Sequence, residues 1–353
     1  MKNNPKTNEL CDICNAHESL QPYLMVSLAG VFDAQIWECE RCGFRQVRPR
    51  VTLEELRALY SRDYFDPAAD IGFKDYARQQ QRYEREGYFL AKKLRRVART
   101  GRLLEVGFGL GFLLESLKRH TSWEVEGIDV AQFGIWFARR KYGLNVKCMT
   151  LEEANYPSNT FDFVIQKDLL EHVLRPREHL IETCRIMRPG GLLWLTTPNG
   201  KANLKPLRDL ADSLSSSADA LLPLLDQGHL SFFLRDNLLK LVSECGFKCL
   251  RFRNIGIKRG LRSLGLLPRK RTQRRTAPKG KPCGAMSVKT SPSIQNNKGY
   301  GKLYERFETE IERCHKPPQS WLPYYYYRHF LKSFSFLPSP FTLGNDFDLI
   351  LKK

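Results

Sequence analysis

From residue 102 onward, short apolar runs alternate with helix-forming stretches, and this alternation restricts the possible folds more than any other feature of the chain. The runs predict strands at 102–106, 124–128, 146–148, 163–165 and 192–196. Their spacing suits βα units, in which a crossover helix joins parallel strands. We therefore predict a doubly wound α/β sheet with helices on both faces. Residues 248–254 and 346–351 predict two further strands.

A glycine-rich loop follows the first of these strands. Gly107, Gly109 and Gly111 allow a tight turn and close approach of a ligand to the backbone, although nucleotide-binding loops and simple turns share such spacing. Phe112 stands where a dinucleotide fingerprint has its third glycine. Glu105 precedes the first glycine by two residues and can accept hydrogen bonds from an ammonium group, which NAD lacks and methionine carries.

An acidic residue, Asp129, ends the next predicted strand. A carboxylate at this offset from a glycine loop can accept hydrogen bonds from both hydroxyls of a ribose. The alternative is a carboxylate that caps the helix starting near Ala131.

With these residues in view, the chain resembles the class I S-adenosylmethionine-dependent methyltransferases, and among them a bacterial group with an N-terminal zinc-binding module. The matching motifs are Leu104-Glu-Val-Gly-Phe-Gly-Leu-Gly111, Glu126-Gly-Ile-Asp129, Phe161-Asp-Phe-Val164, Asp168-Leu-Leu-Glu-His-Val173, Met187-Arg-Pro-Gly-Gly191, Leu195-Thr-Thr-Pro-Asn199 and Gly228-His-Leu-Ser-Phe-Phe233. The resemblance implies a Rossmann-like sheet of seven strands with the last one antiparallel, formed by residues 341–353.

The resemblance also implies which residues contact S-adenosylmethionine. Glu105 and the loop would face the methionine part, Asp129 the ribose, and Gln166 the sulfonium and methyl. The full set of expected cofactor contacts is Glu105, Gly107, Phe108, Gly109, Gly111, Asp129, Val130, Thr150, Leu151 and Gln166. Many relatives have Asp where this chain has Thr150, so recognition of the adenine would use backbone groups or Glu152.

Two histidines are candidates for chemistry beyond binding. His229 falls at the rim above the carboxyl ends of the strands and could act as a general base, or it could fix a loop by hydrogen bonding. His172, with Glu171 and Asp168, resembles a carboxylate–histidine group that holds a divalent cation in quinone-ring O-methyltransferases. Polarity and packing at a helix start are the alternative for this group.

Two C-x2-C pairs open the chain, Cys11 with Cys14 and Cys39 with Cys42. This spacing is typical of a structural zinc ribbon with four thiolates, and an iron–sulfur centre is the alternative. We predict the module at 1–50, a helical connector at 51–100, a methyltransferase core at 101–257 and an insertion at 258–340.

The net charge of +19 is concentrated between Lys248 and Lys281, which holds thirteen Lys or Arg and no acidic residue. This stretch predicts an anionic partner or a solvated loop. With the aromatic run at 321–336 it suits a lipid-phosphate substrate or peripheral contact with an anionic inner membrane, and also stacking on sugars or bases. The resembled group often acts in polysaccharide or natural-product pathways, so the resemblance implies a sugar, lipid-linked glycan or small-metabolite acceptor. The alternatives are an RNA or DNA methyltransferase and a non-catalytic cofactor-binding protein. Lacking a signal peptide, the chain is expected in the cytoplasm.

Overall fold

The computed structural model describes residues 10–17, 19–28, 32–60, 62–65, 76–200, 228–255 and 346–353. Its strands are β1 (Leu20–Leu28), β2 (Phe32–Cys39), β3 (Arg45–Arg48), β4 (Arg102–Val106), β5 (Glu124–Asp129), β6 (Val146–Cys148), β7 (Phe161–Lys167), β8 (Met187–Pro198), β9 (Ser231–Phe232), β10 (Lys248–Ile255) and β11 (Asp346–Lys352). Its α-helices are α1 (Leu53–Leu59), α2 (Gln80–Val97), α3 (Phe112–His120), α4 (Gln132–Tyr142), α5 (Pro176–Ile186) and α6 (Arg235–Glu244). The leucine-rich segment 203–226 and the insertion 258–340 lie outside the described residues.

Seven strands form one sheet in the order β10-β11-β8-β7-β4-β5-β6. The strands from β4 to β8 pair in parallel, whereas β11 is antiparallel to both β8 and β10. The predicted fold class is therefore confirmed, including the antiparallel final strand. Because β4 lies between β5 and β7, the loops that follow these three strands meet at one edge of the sheet.

Side chains of β4 alternate between the two faces of this sheet. Leu103 packs with residues of α2 and α3 on one face, including Leu94 and Leu113. Leu104 lies in a second core with residues of α5 and α6, including Leu180. Both faces are thus covered by helices, which explains why the parallel strands are nearly continuous apolar runs.

A second, four-stranded sheet has the order β1-β2-β3-β9. Its last strand, β9, comes from the region predicted to be methyltransferase core, and the other three come from the predicted module at 1–50. Ile13 and Phe44 of the module are buried in the same hydrophobic core as Leu104 of the large sheet. The cysteine module and the core are therefore continuous in packing, a feature that the sequence boundaries did not anticipate.

The connector runs from α1 through short 3-10 turns at Arg62–Phe65 and Tyr76–Gln79 into α2. Helix α2 crosses α3 at Gly87, where an added Cβ would lie 2.5 Å from the Cβ of Ser116. The Ser116 hydroxyl donates a hydrogen bond of 2.8 Å to the carbonyl of Glu84 at the same crossing. Within the described residues, no helix is both long and apolar enough to cross a membrane.

We expect Gly87→Ala to lower the midpoint of thermal unfolding. An alanine in a helix is ordinarily more favourable than glycine by about 0.5–1 kcal/mol, but here the methyl would overlap Ser116, and overpacking of this kind costs about 1–3 kcal/mol. The matched control is Lys92→Ala, which changes an exposed position on the same helix. A higher midpoint for Gly87→Ala than for the wild type would contradict the close crossing.

Candidate active site

The glycine loop leaves β4 and leads directly into α3. Gly107, Gly109 and Gly111 have φ values of +73°, +61° and +79°, in the left-handed region that favours glycine. An added Cβ at Gly109 would lie 1.8 Å from the hydroxyl oxygen of Tyr76. The connector therefore covers the loop, and the predicted glycine positions need to be glycine for two separate reasons, backbone conformation and space.

Glu105 carries a buried carboxyl group beside this loop. Its side chain is 4% exposed, and Oε2 has no hydrogen-bond partner among the described residues. Burial raises the pKa of Glu105 to about 8, although the nearby Lys167 ammonium opposes the shift. A buried acceptor without a partner costs free energy. The group therefore fits a ligand that brings a cation, as the ammonium of methionine would.

Asp129 ends β5, and its two carboxylate oxygens bond to the glycine loop and to the start of α4. Oδ2 accepts from the amide of Gly109 at 2.8 Å, and Oδ1 accepts from the amide of Ala131 at 2.8 Å. Burial raises the pKa of Asp129 to about 6 despite these bonds. The bond to Ala131 is the helix-start contact offered as the alternative to ribose binding. Each oxygen keeps a second lone pair, so both roles are compatible and the ribose contact stays a prediction.

The expected adenine end lies beyond β6. Thr150 and Glu153 exchange hydrogen bonds, since the Thr150 amide donates to the Glu153 carboxylate at 2.9 Å and the Glu153 amide donates to Thr150 Oγ1 at 3.2 Å. Leu151 is buried, and Glu152 bonds to His179 Nδ1 at 2.9 Å. The Glu152 carboxylate thus already has a partner. Adenine binding at Thr150 and Leu151 remains a prediction.

The remaining expected cofactor contacts divide between side chains and backbone. Gln166 is buried and its amide donates to Thr183 of α5 at 2.8 Å, while its Oε1 has no partner among the described residues. That oxygen, the second hydrogen of the amide nitrogen and the backbone are left to approach the cofactor. The Phe108 ring is buried in the core with Leu113, so its contribution would come from the backbone. Val130 follows Asp129 directly and is partly exposed.

Glu171, His172 and His229 form a cluster on the other side of this edge. The two imidazole ring centroids are 4.8 Å apart, and His172 Nε2 lies 3.8 Å from Glu171 Oε1. The His172 Nδ1 is near the carbonyl of Gly228 at 3.0 Å and the hydroxyl of Tyr60 at 2.7 Å. Asp168, grouped with them in the sequence, instead accepts from the Thr196 hydroxyl at 2.8 Å. The structure therefore adds His229 to the predicted group, while Asp168 stays close enough to act electrostatically on Glu171 and His172.

Burial controls the charge of this cluster. It lowers the pKa of His172 to about 4 and that of His229 well below its usual range, so both imidazoles are neutral at pH 7. Burial also raises the pKa of Glu171 well above its ordinary value. Glu171 Oε1 and His229 Nδ1 have no hydrogen-bond partner among the described residues. One ligand atom from each residue can be chosen so that all lie within 4.8 Å of one another, which fits a divalent cation.

Two tyrosines of the connector, Tyr60 and Tyr64, interact electrostatically with both the cofactor side and this cluster, and sequence reasoning did not single them out as site residues. The carboxyls of Asp129 and Glu171 both contribute to raising the pKa of Tyr64, after the larger effect of burial, and they do the same to Tyr60. The rings of Tyr60 and Tyr64 pack edge to face with centroids 4.9 Å apart. Their only sequence signal was the aromatic content of the connector.

Comparisons with known proteins agree with this geometry. A family model described as a methyltransferase domain matches residues 76–251, about half of the chain and most of the large sheet. The chain belongs to the class I S-adenosylmethionine-dependent methyltransferases. The match begins at the connector residue Tyr76, whose hydroxyl lies over the methyltransferase glycine loop.

Curated relatives of this methyltransferase match less than a third of the chain. The chain is 28% identical over 102 residues to the ubiquinone biosynthesis O-methyltransferase of Parvibaculum lavamentivorans, covering 28% of this chain and 40% of that protein. It is 32% identical over 108 residues to the enzyme of the same name from Neisseria meningitidis serogroup C, covering 29% and 45%. The chain thus spans less than half the length of these relatives. Among solved structures, a putative sarcosine dimethylglycine methyltransferase from Galdieria sulphuraria aligns with TM-score 0.43 and 15% identity, over 76% of this chain and 85% of that one.

The N-terminal cysteines of this methyltransferase converge as their spacing predicted. The Sγ atoms of Cys11 and Cys42 are 3.6 Å apart, as are those of Cys14 and Cys39, and all four lie within 4.8 Å of one another. Four thiolates around Zn²⁺ at 2.3 Å would be separated by about 3.8 Å. The donor set therefore fits a tetrahedral zinc site, in which the metal would stabilise the fold of the module.

We expect binding of S-adenosylmethionine to release protons from Glu105. The free carboxyl has a pKa of about 8, and it must be ionised to pair with the ligand ammonium, so binding lowers its pKa. The bound state then holds fewer protons, and affinity rises with pH between 6 and 7.5. Isothermal titration at pH 7 in buffers of different ionisation enthalpy should show release of about one proton. Glu105→Gln is expected to abolish that release, and equal release from both proteins would contradict the assignment.

We expect Asp129→Ala to weaken S-adenosylmethionine binding by about 1–3 kcal/mol, because ribose hydroxyls would lose a charged acceptor and the Gly109 amide would lose its partner. Asp236→Ala serves as the control, since that carboxylate is exposed at the start of α6. The dissociation constants of the three proteins are compared by titration calorimetry. An unchanged affinity for Asp129→Ala would refute the ribose contact.

Proposed function

We propose that this protein transfers the methyl group of S-adenosylmethionine to a hydroxyl oxygen of a sugar, a lipid-linked glycan or a small metabolite. The observation that carries the proposal is the position of two groups at one edge of the sheet. Glu105 and Asp129 lie at the carboxyl ends of β4 and β5 on the cofactor side, and Glu171 and His172 follow β7, with His229 packed against them. In open α/β sheets, ligands bind beyond the carboxyl ends of the strands.

The cluster favours an oxygen acceptor. Methyl transfer is an in-line displacement at the sulfonium methyl, and a hydroxyl acceptor must lose its proton as the bond forms. The matched relatives carry the name of O-methyltransferases in ubiquinone biosynthesis, which supports a small-molecule oxygen acceptor. Tyr60 and Tyr64, between the two groups, would line the path along which acceptor and cofactor meet.

A divalent cation is the second component of the proposal. His229 is a weak proton acceptor, since burial and the neighbouring His172 hold its pKa well below 6.5. Neutral imidazoles and a carboxylate are suitable ligands for a cation, which would compensate the buried charge of Glu171. If His172 Nδ1 donates to the Gly228 carbonyl, its Nε2 lone pair is left for the metal. Such a cation would supply Lewis acidity, lowering the pKa of a bound hydroxyl.

The proposal includes a cytoplasmic site of action with peripheral contact at an anionic membrane surface. All eight cysteines described by the structure are free thiols, which suits a reducing compartment. The basic residues that would contact a membrane or a nucleic acid lie mainly beyond Ile255, outside the described residues. Membrane contact therefore rests on the sequence pattern alone, and no described feature favours nucleic acid.

The test measures S-adenosylhomocysteine formation with panels of phenols, sugars and lipid-linked sugars, with and without added Mg²⁺ or Mn²⁺. We expect Glu171→Gln and His229→Ala to reduce turnover by about 10²-fold or more, while the dissociation constant for S-adenosylmethionine stays within about twofold. His120→Ala is the matched control, because that histidine lies at the end of α3 and packs edge to face with Tyr88.

Each outcome separates one part of the proposal from another. Stimulation by metal that disappears in Glu171→Gln supports the cation, whereas metal-independent turnover lost in His229→Ala supports a base. Wild-type turnover in both variants would exclude the cluster from catalysis. Absence of any heat of S-adenosylmethionine binding would overturn the methyltransferase activity itself, and methylation found in RNA rather than in the small molecules would overturn the acceptor class.

A further inference from the structure

The segment that carries His229 is held by the cysteine module on one side. Strand β9 is the fourth strand of the module's sheet, with Gln46 opposite Ser231 in an antiparallel pair with β3. The amide of Val47 donates to the carbonyl of Leu230 at 2.9 Å, directly after His229. The backbone on this side of the histidine is thus part of the sheet that begins in the cysteine module.

The same segment is held by the methyltransferase core on its other side. The amide of Leu230 donates to the carbonyl of Glu171 at 2.7 Å, and the amide of Gly200 donates to the carbonyl of Phe233 at 2.9 Å. Leu230 therefore bridges the module and the cluster, with its carbonyl bonded to β3 and its amide bonded to Glu171. A change in the position of β3 would move His229 relative to both Glu171 and His172.

Side chains connect the second cysteine pair to this segment directly. The Asn237 amide nitrogen donates to the carbonyl of Cys42 at 3.4 Å, while its oxygen accepts from the amide of Leu234 at 2.9 Å. The rings of Phe44 and Phe233, both fully buried, pack with centroids 5.3 Å apart. The turn that holds Cys39 and Cys42, with Phe44 next to it, is therefore in contact with the chain that follows β9.

We propose that the cysteine module is a positioning element for the acceptor side of the active site. Metal at the four thiolates holds the Cys39–Cys42 turn, the turn holds β3, and β3 holds the backbone that places His229 against Glu171 and His172. The glycine loop and Asp129 take no hydrogen bond from the module among the described contacts. The module therefore acts on the acceptor side and leaves cofactor binding intact. This inference rests on the proposed function only for the identity of the acceptor side.

Hydrogen exchange measured by mass spectrometry on the full chain tests the coupling without any acceptor. Zinc is removed with a chelator, and peptides covering 228–234 and 103–114 are compared before and after. We expect exchange in 228–234 to accelerate by about tenfold or more, while exchange in 103–114 and the dissociation constant for S-adenosylmethionine change by less than about twofold. Restoring Zn²⁺ should return the slow exchange.

Asn237→Asp provides a second test that keeps all four cysteines. The aspartate retains an oxygen for the Leu234 amide but loses the donor to Cys42, so we expect full zinc content with faster exchange in 228–234. Gly87→Ala is the control, because it weakens a helix crossing remote from the module. Once an acceptor has been identified, we expect Asn237→Asp to lower kcat and to leave the KM for S-adenosylmethionine unchanged.

Two results would overturn the positioning role. One is unchanged exchange in 228–234 for both the zinc-free protein and Asn237→Asp. The other is equal acceleration in 228–234 and 103–114 for Asn237→Asp, which would mean that the module stabilises the whole chain without selectivity. Neither readout depends on methyl transfer, so a failure of the proposed activity would leave this result standing. A failure of the positioning role would likewise leave the proposed activity standing.

Discussion

The parallel pairing of β4 with β5 on one side and β7 on the other is the constraint on which the site depends. It places Glu105, Asp129 and the start of the Asp168–Val173 segment at one edge of the sheet. The bond from Asp129 to the Gly109 amide then ties the second strand's end to the loop of the first. Residues twenty or more positions apart in the chain thereby come together at the edge where we propose that the cofactor binds.

The burial of charged side chains is the second feature that organises the site. Residues of the connector compensate part of this buried charge. Lys167 is buried at the end of β7 and pairs with Glu86 of α2, while its ammonium lies 4.7 Å from the ring centroid of Tyr83. Glu105, close to the same ammonium, keeps one oxygen without a partner. If another group of the protein already bonded to this oxygen, the carboxylate would have no free acceptor for a cationic ligand. The missing partner is therefore consistent with a binding role.

The parts of the site that sequence reasoning anticipated are those determined by local pattern. Gly107 and Asp129 follow apolar runs at βα spacing, and paired C-x2-C motifs bring their own ligands together. The grouping of His229 with Glu171 could not be read in this way, because 58 positions separate the two and their contact depends on how β9 joins another sheet. Asp168 is adjacent in sequence to the group and acts electrostatically on Glu171 and His172, but its backbone φ is +51° and its carboxylate accepts a hydrogen bond from Thr196.

Because the cysteine module packs into the methyltransferase core, a metal in the module can affect residues outside the module. A zinc ribbon joined by a linker would stabilise only itself. Here Leu230 is bonded at its carbonyl to the module and at its amide to Glu171, so the residue next to His229 joins the module's sheet to the 3-10 turn after β7. A metal that stabilises the module would then restrict the backbone at that position. The relative positions of Glu171, His172 and His229 would therefore depend on whether metal occupies the four-cysteine site, although that site does not itself contact the acceptor.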